Sequence, residues 1–164
     1  MPRTPLWMLP AALFLGGCAA TSATLPDDRP GDFALLITVY PVEADKTALP
    51  DPRWLRPARY AVDPDGRLRA ESGIGVSRPG FPPLVRELDP GEVDRLYALA
   101  AQAGPGQAEV PGPQVFTPPA DRRVALLEIS AEGRVRAAQH DADADTPLAP
   151  LLRELARLSW LDRD

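Results

Sequence analysis

Apolar positions along the chain fall into blocks of distinct period, and each block predicts an element. Residues 33–40 (FALLITVY) form a nearly continuous apolar run of strand length. Such a run predicts a central strand, covered on both sides for part of its length. Pro41 stops it, and residues 42–57 form a proline-bearing loop around Trp54. A large apolar side chain in such a loop is expected to fold it onto the core.

Alternation begins at residue 59. Tyr60 and Val62 alternate with polar neighbours, Asp63-Pro64-Asp65-Gly66 is a turn signal, and Leu68 and Ala70 carry the alternation back. This predicts a hairpin over residues 59–71, followed by a glycine- and proline-rich loop over 72–83. The period then changes to helical. Val93, Leu96, Tyr97, Ala100 and Ala103 repeat at three- and four-residue spacing. Asp89 fits the N-cap, Pro90 the first helical position and Glu92 the third position of a capping box. Leu88 and Val93 can close a hydrophobic staple across the cap. Gly104-Pro105 ends the helix, and residues 104–119 read as loop.

The same order then repeats. Residues 124–129 are apolar, Ala131-Glu132-Gly133 turns, and residues 135–138 return. Leu148, Leu151, Leu152, Leu155 and Leu158 mark a last helix, starting at Thr146-Pro147 or at Pro150, with Trp160 and Leu161 at its end. The turns DPDGRLRAE and AEGRVRAAQ are alike. The expected fold is therefore α+β: a mostly antiparallel sheet with two helices on one face, built as a hairpin–helix pseudo-repeat after a leading strand.

The N-terminus follows another logic. Arg3 precedes an apolar stretch over residues 6–15, interrupted by Pro10 and followed by Gly16-Gly17. This has the three parts of a secretory signal and is too short to span a bilayer, which takes about 20 residues. Leu15, Gly16, Gly17 and Cys18 resemble the lipobox of bacterial lipoproteins. The resemblance implies that the Cys18 thiol takes a diacylglyceryl group, that the chain is cleaved before Cys18, and that the new amine is acylated, typically with palmitate. Each buried methylene contributes about 0.8 kcal/mol, so two or three acyl chains hold a protein at a membrane where one is marginal. Ala19, rather than aspartate, resembles the outer-membrane class of lipoproteins. The organisation expected is a signal peptide over residues 1–17, a lipidated cysteine and flexible tether over 18–32, and a single domain over 33–164. Its place is the cell envelope, lipid-anchored at the outer membrane and facing the periplasm.

Charge and composition narrow the function. The net charge of −5 gives no general attraction for nucleic acid or anionic lipid. Cys18 is the only cysteine, so once it is acylated no disulfide can form and packing alone must hold the domain. His140 is the only histidine, which leaves no Ser-His or Cys-His pair for nucleophilic catalysis and no histidine partner for a transition metal. Asp141, Asp143 and Asp145 follow the spacing that opens an EF-hand loop, but Thr146 and Leu152 stand where glycine and glutamate are needed. No enzyme activity, cofactor or metal is expected. Arg59, Arg67 and Arg69 alternate with the apolar positions of the first hairpin, and Arg134 and Arg136 with those of the second. If helices cover the apolar face, Arg67, Arg69, Arg134 and Arg136 form a stripe on the open face. That stripe would suit an anionic glycan, lipid head group or peptide carboxylate.

The expected function is a non-catalytic, lipid-anchored interaction or scaffold domain. Its partners are the membrane, through Cys18, and an envelope protein or an anionic glycan or lipid. Residues 88–158 also have a layout, carried by LDPGEVDRLYALAAQAG, VALLEISAEGRVRAAQHD and PLAPLLRELARL, that resembles emfourin-type bacterial protease inhibitors. That resemblance implies inhibition of an envelope protease as the alternative.

Overall fold

The computed structural model describes residues 25–50, 52–76, 80–104 and 117–159. The residues expected to form a signal peptide, Cys18, the first part of the expected tether and Trp160-Leu161 lie outside the described residues. Six strands make one antiparallel sheet: β1 (Ala34–Val39), β2 (Ala58–Val62), β3 (Arg67–Ser72), β4 (Leu84–Glu87), β5 (Val124–Ala131) and β6 (Arg134–Asp141). Their spatial order is β4-β3-β2-β1-β5-β6. The leading strand β1 sits between the two hairpins, paired to β2 on one side and β5 on the other. Two helices, α1 (Pro90–Ala103) and α2 (Ala149–Leu158), complete the α+β fold.

Side chains alternate across a strand, so each strand gives one face to the helices. Phe33, Leu35, Ile37 and Val39 point inward with Tyr60, Leu68, Leu127 and Ile129, all at or near zero exposure. Against them pack Val93, Leu96, Tyr97 and Ala100 of α1 and Leu151, Leu152, Leu155 and Leu158 of α2. Both helices therefore cover the same sheet face. The ring of Tyr97 meets Phe33 edge-on, 5.0 Å between centroids at 81°. Trp54 closes the loop over residues 42–57 as expected: it is buried, with the Arg153 guanidinium of α2 4.6 Å from its ring centroid.

The α1 N-terminus forms as its sequence dictates. Asp89 Oδ1 accepts from the Glu92 amide at 2.8 Å, and Glu92 Oε2 accepts from the Asp89 amide at 3.0 Å. Arg86 holds Glu92 from outside with two bonds of 2.8 and 2.9 Å. The α2 start is less marked: Leu148 precedes it without a side-chain cap, and Pro150 sits in its first turn. The two helices are tied by Glu154. Arg157 donates to its carboxylate at 2.8 and 3.0 Å, and Arg95 of α1 lies 3.3 Å away. The Arg157 hydrogen bonds hold the Glu154 pKa below the usual carboxylate value.

Two expectations are corrected. The loop assigned to residues 72–83 is followed by a strand, β4, that sequence periodicity misses: LVRE is too short to show alternation. It pairs with β3 through an irregular register between Leu68 and Arg69. The second correction concerns the tether. From Leu25 onward the chain is bound to the domain. Leu25 packs against the core, and the Tyr97 hydroxyl donates to the Pro26 carbonyl at 2.5 Å. Arg29 pairs with Asp94 at 2.6 Å. Asp32 accepts from the Glu132 and Gly133 amides at 2.8 and 2.6 Å. Those two residues have φ of 55° and 69°, as a two-residue hairpin turn between right-twisted strands requires. The Asp32 carboxylate thus fastens the N-terminal segment to the β5–β6 turn, and the two amides lower its pKa.

Candidate interaction surface on the open sheet face

Among the described residues no helix covers the other sheet face, although Thr38 and Ala61 on it are buried, and strand register fixes what stands there. Directly paired residues share a face. One row across the sheet is Arg69, Ala61, Leu36, Glu128 and Ala137, from β3 to β6. The neighbouring row places Arg59 beside Thr38, Leu126 and Gln139. Ala34, Ser130 and Val135 stand on the other side.

The arginine stripe does not form. Arg67 and Arg69 project from the open face, but Arg134 and Arg136 pair with Ala131 and Ile129, which point at the helices. Arg136 is only 5% exposed. The two-residue turn sets the β5–β6 register, so Val135 and Ala137 face outward on the open side. The long arginine stem can line an apolar face. The open-face arginines are also engaged within the domain. Arg67 lies 3.1 Å from Asp65 and Arg69 3.0 Å from Asp63. Arg59 donates to the Gly80 carbonyl at 2.5 Å. No anion-binding surface is assembled from Arg67, Arg69, Arg134 and Arg136.

The open face carries something that sequence reasoning missed. A groove of about 200 Å³ lies on it, with Leu36, Ala61, Phe81 and Val135 among its apolar lining and Asp63 and Glu128 as its two carboxylates. Phe81 is 77% exposed, Val135 42% and Leu84, in the Arg69 row, 50%. Three of the large exposed apolar residues therefore stand on one face, where single scattered ones would be ordinary. Phe81 follows Gly80, whose φ of 136° suits glycine alone. Its loop is fixed by the Arg59–Gly80 bond, by the Ala70 amide donating to the Pro83 carbonyl at 3.1 Å, and by a long Arg69 contact to the Pro82 carbonyl at 3.5 Å. Phe81 thus stands between backbone positions tied to the sheet at Gly80 and at Pro83. Arg69, expected as part of an anion-binding stripe, and Arg59 beside it instead contact the backbone on either side of Phe81.

Glu128 is half-buried among apolar neighbours. Burial raises its pKa, partly offset by the charge of Arg59. Tyr40 on the same face is raised by burial and then by the Glu128 charge. His140 lies on the helix side of β6, opposite Ala125, and burial lowers its pKa. Asp141 pairs with Arg122 at 3.2 Å, and Asp143 accepts from the Ala144 amide at 2.6 Å. Among the described residues no group of three or more metal-ligating side chains converges. No protein-family model, curated protein or solved structure matches the chain.

Proposed function

We propose that the chain is a non-catalytic lipoprotein of the cell envelope, anchored through Cys18, whose domain binds another envelope protein through its open sheet face. The observation that carries the binding role is the groove with apolar Leu36, Phe81 and Val135 in its lining, of which Phe81 and Val135 are exposed. An exposed aromatic is the kind of group that anchors protein interfaces, because it buries a large apolar area with few torsions to order. The anchor rests on the Leu15–Cys18 pattern and on the signal that precedes it.

Two measurements test the reading. Mass spectrometry of the mature N-terminus should find an acylated Cys18, and Cys18→Ser should leave the membrane fraction. An unmodified N-terminus would end the anchor reading. A photo-cross-linking residue in place of Phe81 should yield a protein adduct in intact envelopes, whereas one in place of Gln102, exposed on α1, should not. Equal adducts from both sites would end the reading of the open face. An adduct with a protease that disappears when the protease active site is blocked would make the domain an inhibitor instead.

A further inference from the structure

We infer that the groove takes a basic amphipathic segment of its partner, with apolar side chains against Phe81, Leu36 and Val135 and a lysine or arginine over Glu128. The inference rests on the reading of the open face as a protein-binding surface and names the chemistry of what binds there.

The argument is one of charge and room. Asp63 and Asp65 are matched by Arg69 and Arg67. Glu128 is different: among the described residues it has no ion pair and no side-chain hydrogen bond, and its cationic neighbour Arg59 donates to Gly80. A carboxylate set in an apolar groove is disfavoured in its charged form unless a cation or donor reaches it. A partner cation would restore what desolvation removes, and the apolar rim would exclude water from the pair.

The room fits a peptide segment. From Ala61 on β2 to Val135 on β6 there are three strand spacings, about 14 Å across. A single helix with its side chains is about 10–12 Å wide, and an extended segment is narrower.

Two other occupants fit less well. A second copy packed face to face about a two-fold axis at the groove would bring two Glu128 carboxylates into one dry contact. Residues 26–29 of this chain are bound on the other side of the sheet, where Pro26 and Arg29 lie against α1.

The test is a selection from a random 12-residue peptide library displayed on phage, made against both the acylated protein and the Cys18→Ser chain. Enriched peptides should carry lysine or arginine among apolar residues. Their affinity should fall about tenfold in Glu128→Gln, as expected for loss of a charged hydrogen bond, and should fall with added salt. Phe81→Ser should also weaken them. Glu128→Gln should unfold at no lower urea concentration than wild type at pH 7, which separates lost binding from lost folding. Enrichment of peptides without basic residues, basic peptides that bind Glu128→Gln equally well, or no enrichment at all would overturn the inference. If Phe81 cross-links to a protein while the selected peptides lack a basic residue, the binding surface stands and its assigned ligand chemistry falls. If the two baits select the same peptides and Cys18 is found unmodified, the anchor falls and the groove stands.

Discussion

Replacing Asp89 with alanine perturbs one hydrogen bond of known geometry and little else. The side chain is exposed, so no cavity forms. What is lost is the 2.8 Å bond from the Glu92 amide to Asp89 Oδ1. The reciprocal bond, from the Asp89 amide to Glu92, uses backbone at residue 89 and survives, as do the two bonds from Arg86 to Glu92. The change therefore removes half of the capping box and one negative charge at the positive end of the helix. N-cap losses of this kind cost about 0.5–2 kcal/mol, typically about 1. With a urea slope of about 2 kcal/mol/M for a small domain, the midpoint should drop by about 0.5 M at unchanged slope. Helical circular dichroism against urea reads it directly. Asp89→Ser keeps an acceptor at the same place and should recover most of the loss. If alanine and serine both leave the midpoint at the wild-type value, the cap does not stabilise the domain and the reasoning fails. A changed slope would mean that the unfolded state was altered instead.

Leu127→Ala, on β5 beneath the helices and fully buried, should cost about 2–5 kcal/mol by the same urea assay; a loss under 1 kcal/mol would show that the site collapses around the gap. Asp32 has a folded pKa below its ordinary 3.8 because two backbone amides bond the carboxylate. Its contribution to stability is therefore present above pH 3.8 and is lost as pH falls through the lower folded value. Asp32→Ala should be less stable than wild type at neutral pH, and the difference should shrink at the acid end of a pH series of urea midpoints. A difference constant down to the lowest pH would refute the assignment.

The helix α1, both hairpin turns and the α+β layout were legible because each is specified locally. A capping box, a glycine at positive φ and a helical period need no distant partner. What escaped was set by pairing. The edge strand β6 reads RVRAAQHD, with too few apolar residues to announce its inward face. The register with β5 decides, and it sends Arg136 inward and Val135 out. Likewise β4 is a strand because β3 is beside it, and residues 25–32 are bound because Tyr97, Asp94 and the β5–β6 turn offer partners about 65 to 100 residues away. The groove was illegible for the same reason. Phe81 reads as a residue in a proline-rich loop until Arg59 is seen to hold that loop over the sheet.

The bound N-terminal segment also sets how the domain is carried. With Cys18 acylated as proposed, only six residues separate it from Leu25, the first described residue, which packs against the core. The seven steps from Cys18 to Leu25 reach at most about 25 Å, so the domain would be a pendant on a short leash. The leash attaches beside α1, in the helix layer. With that anchor, the end of the domain beside α1 would be the part tied within about 25 Å of the bilayer, while Phe81, across the sheet from α1, would stand at the thickness of the domain from the point of attachment.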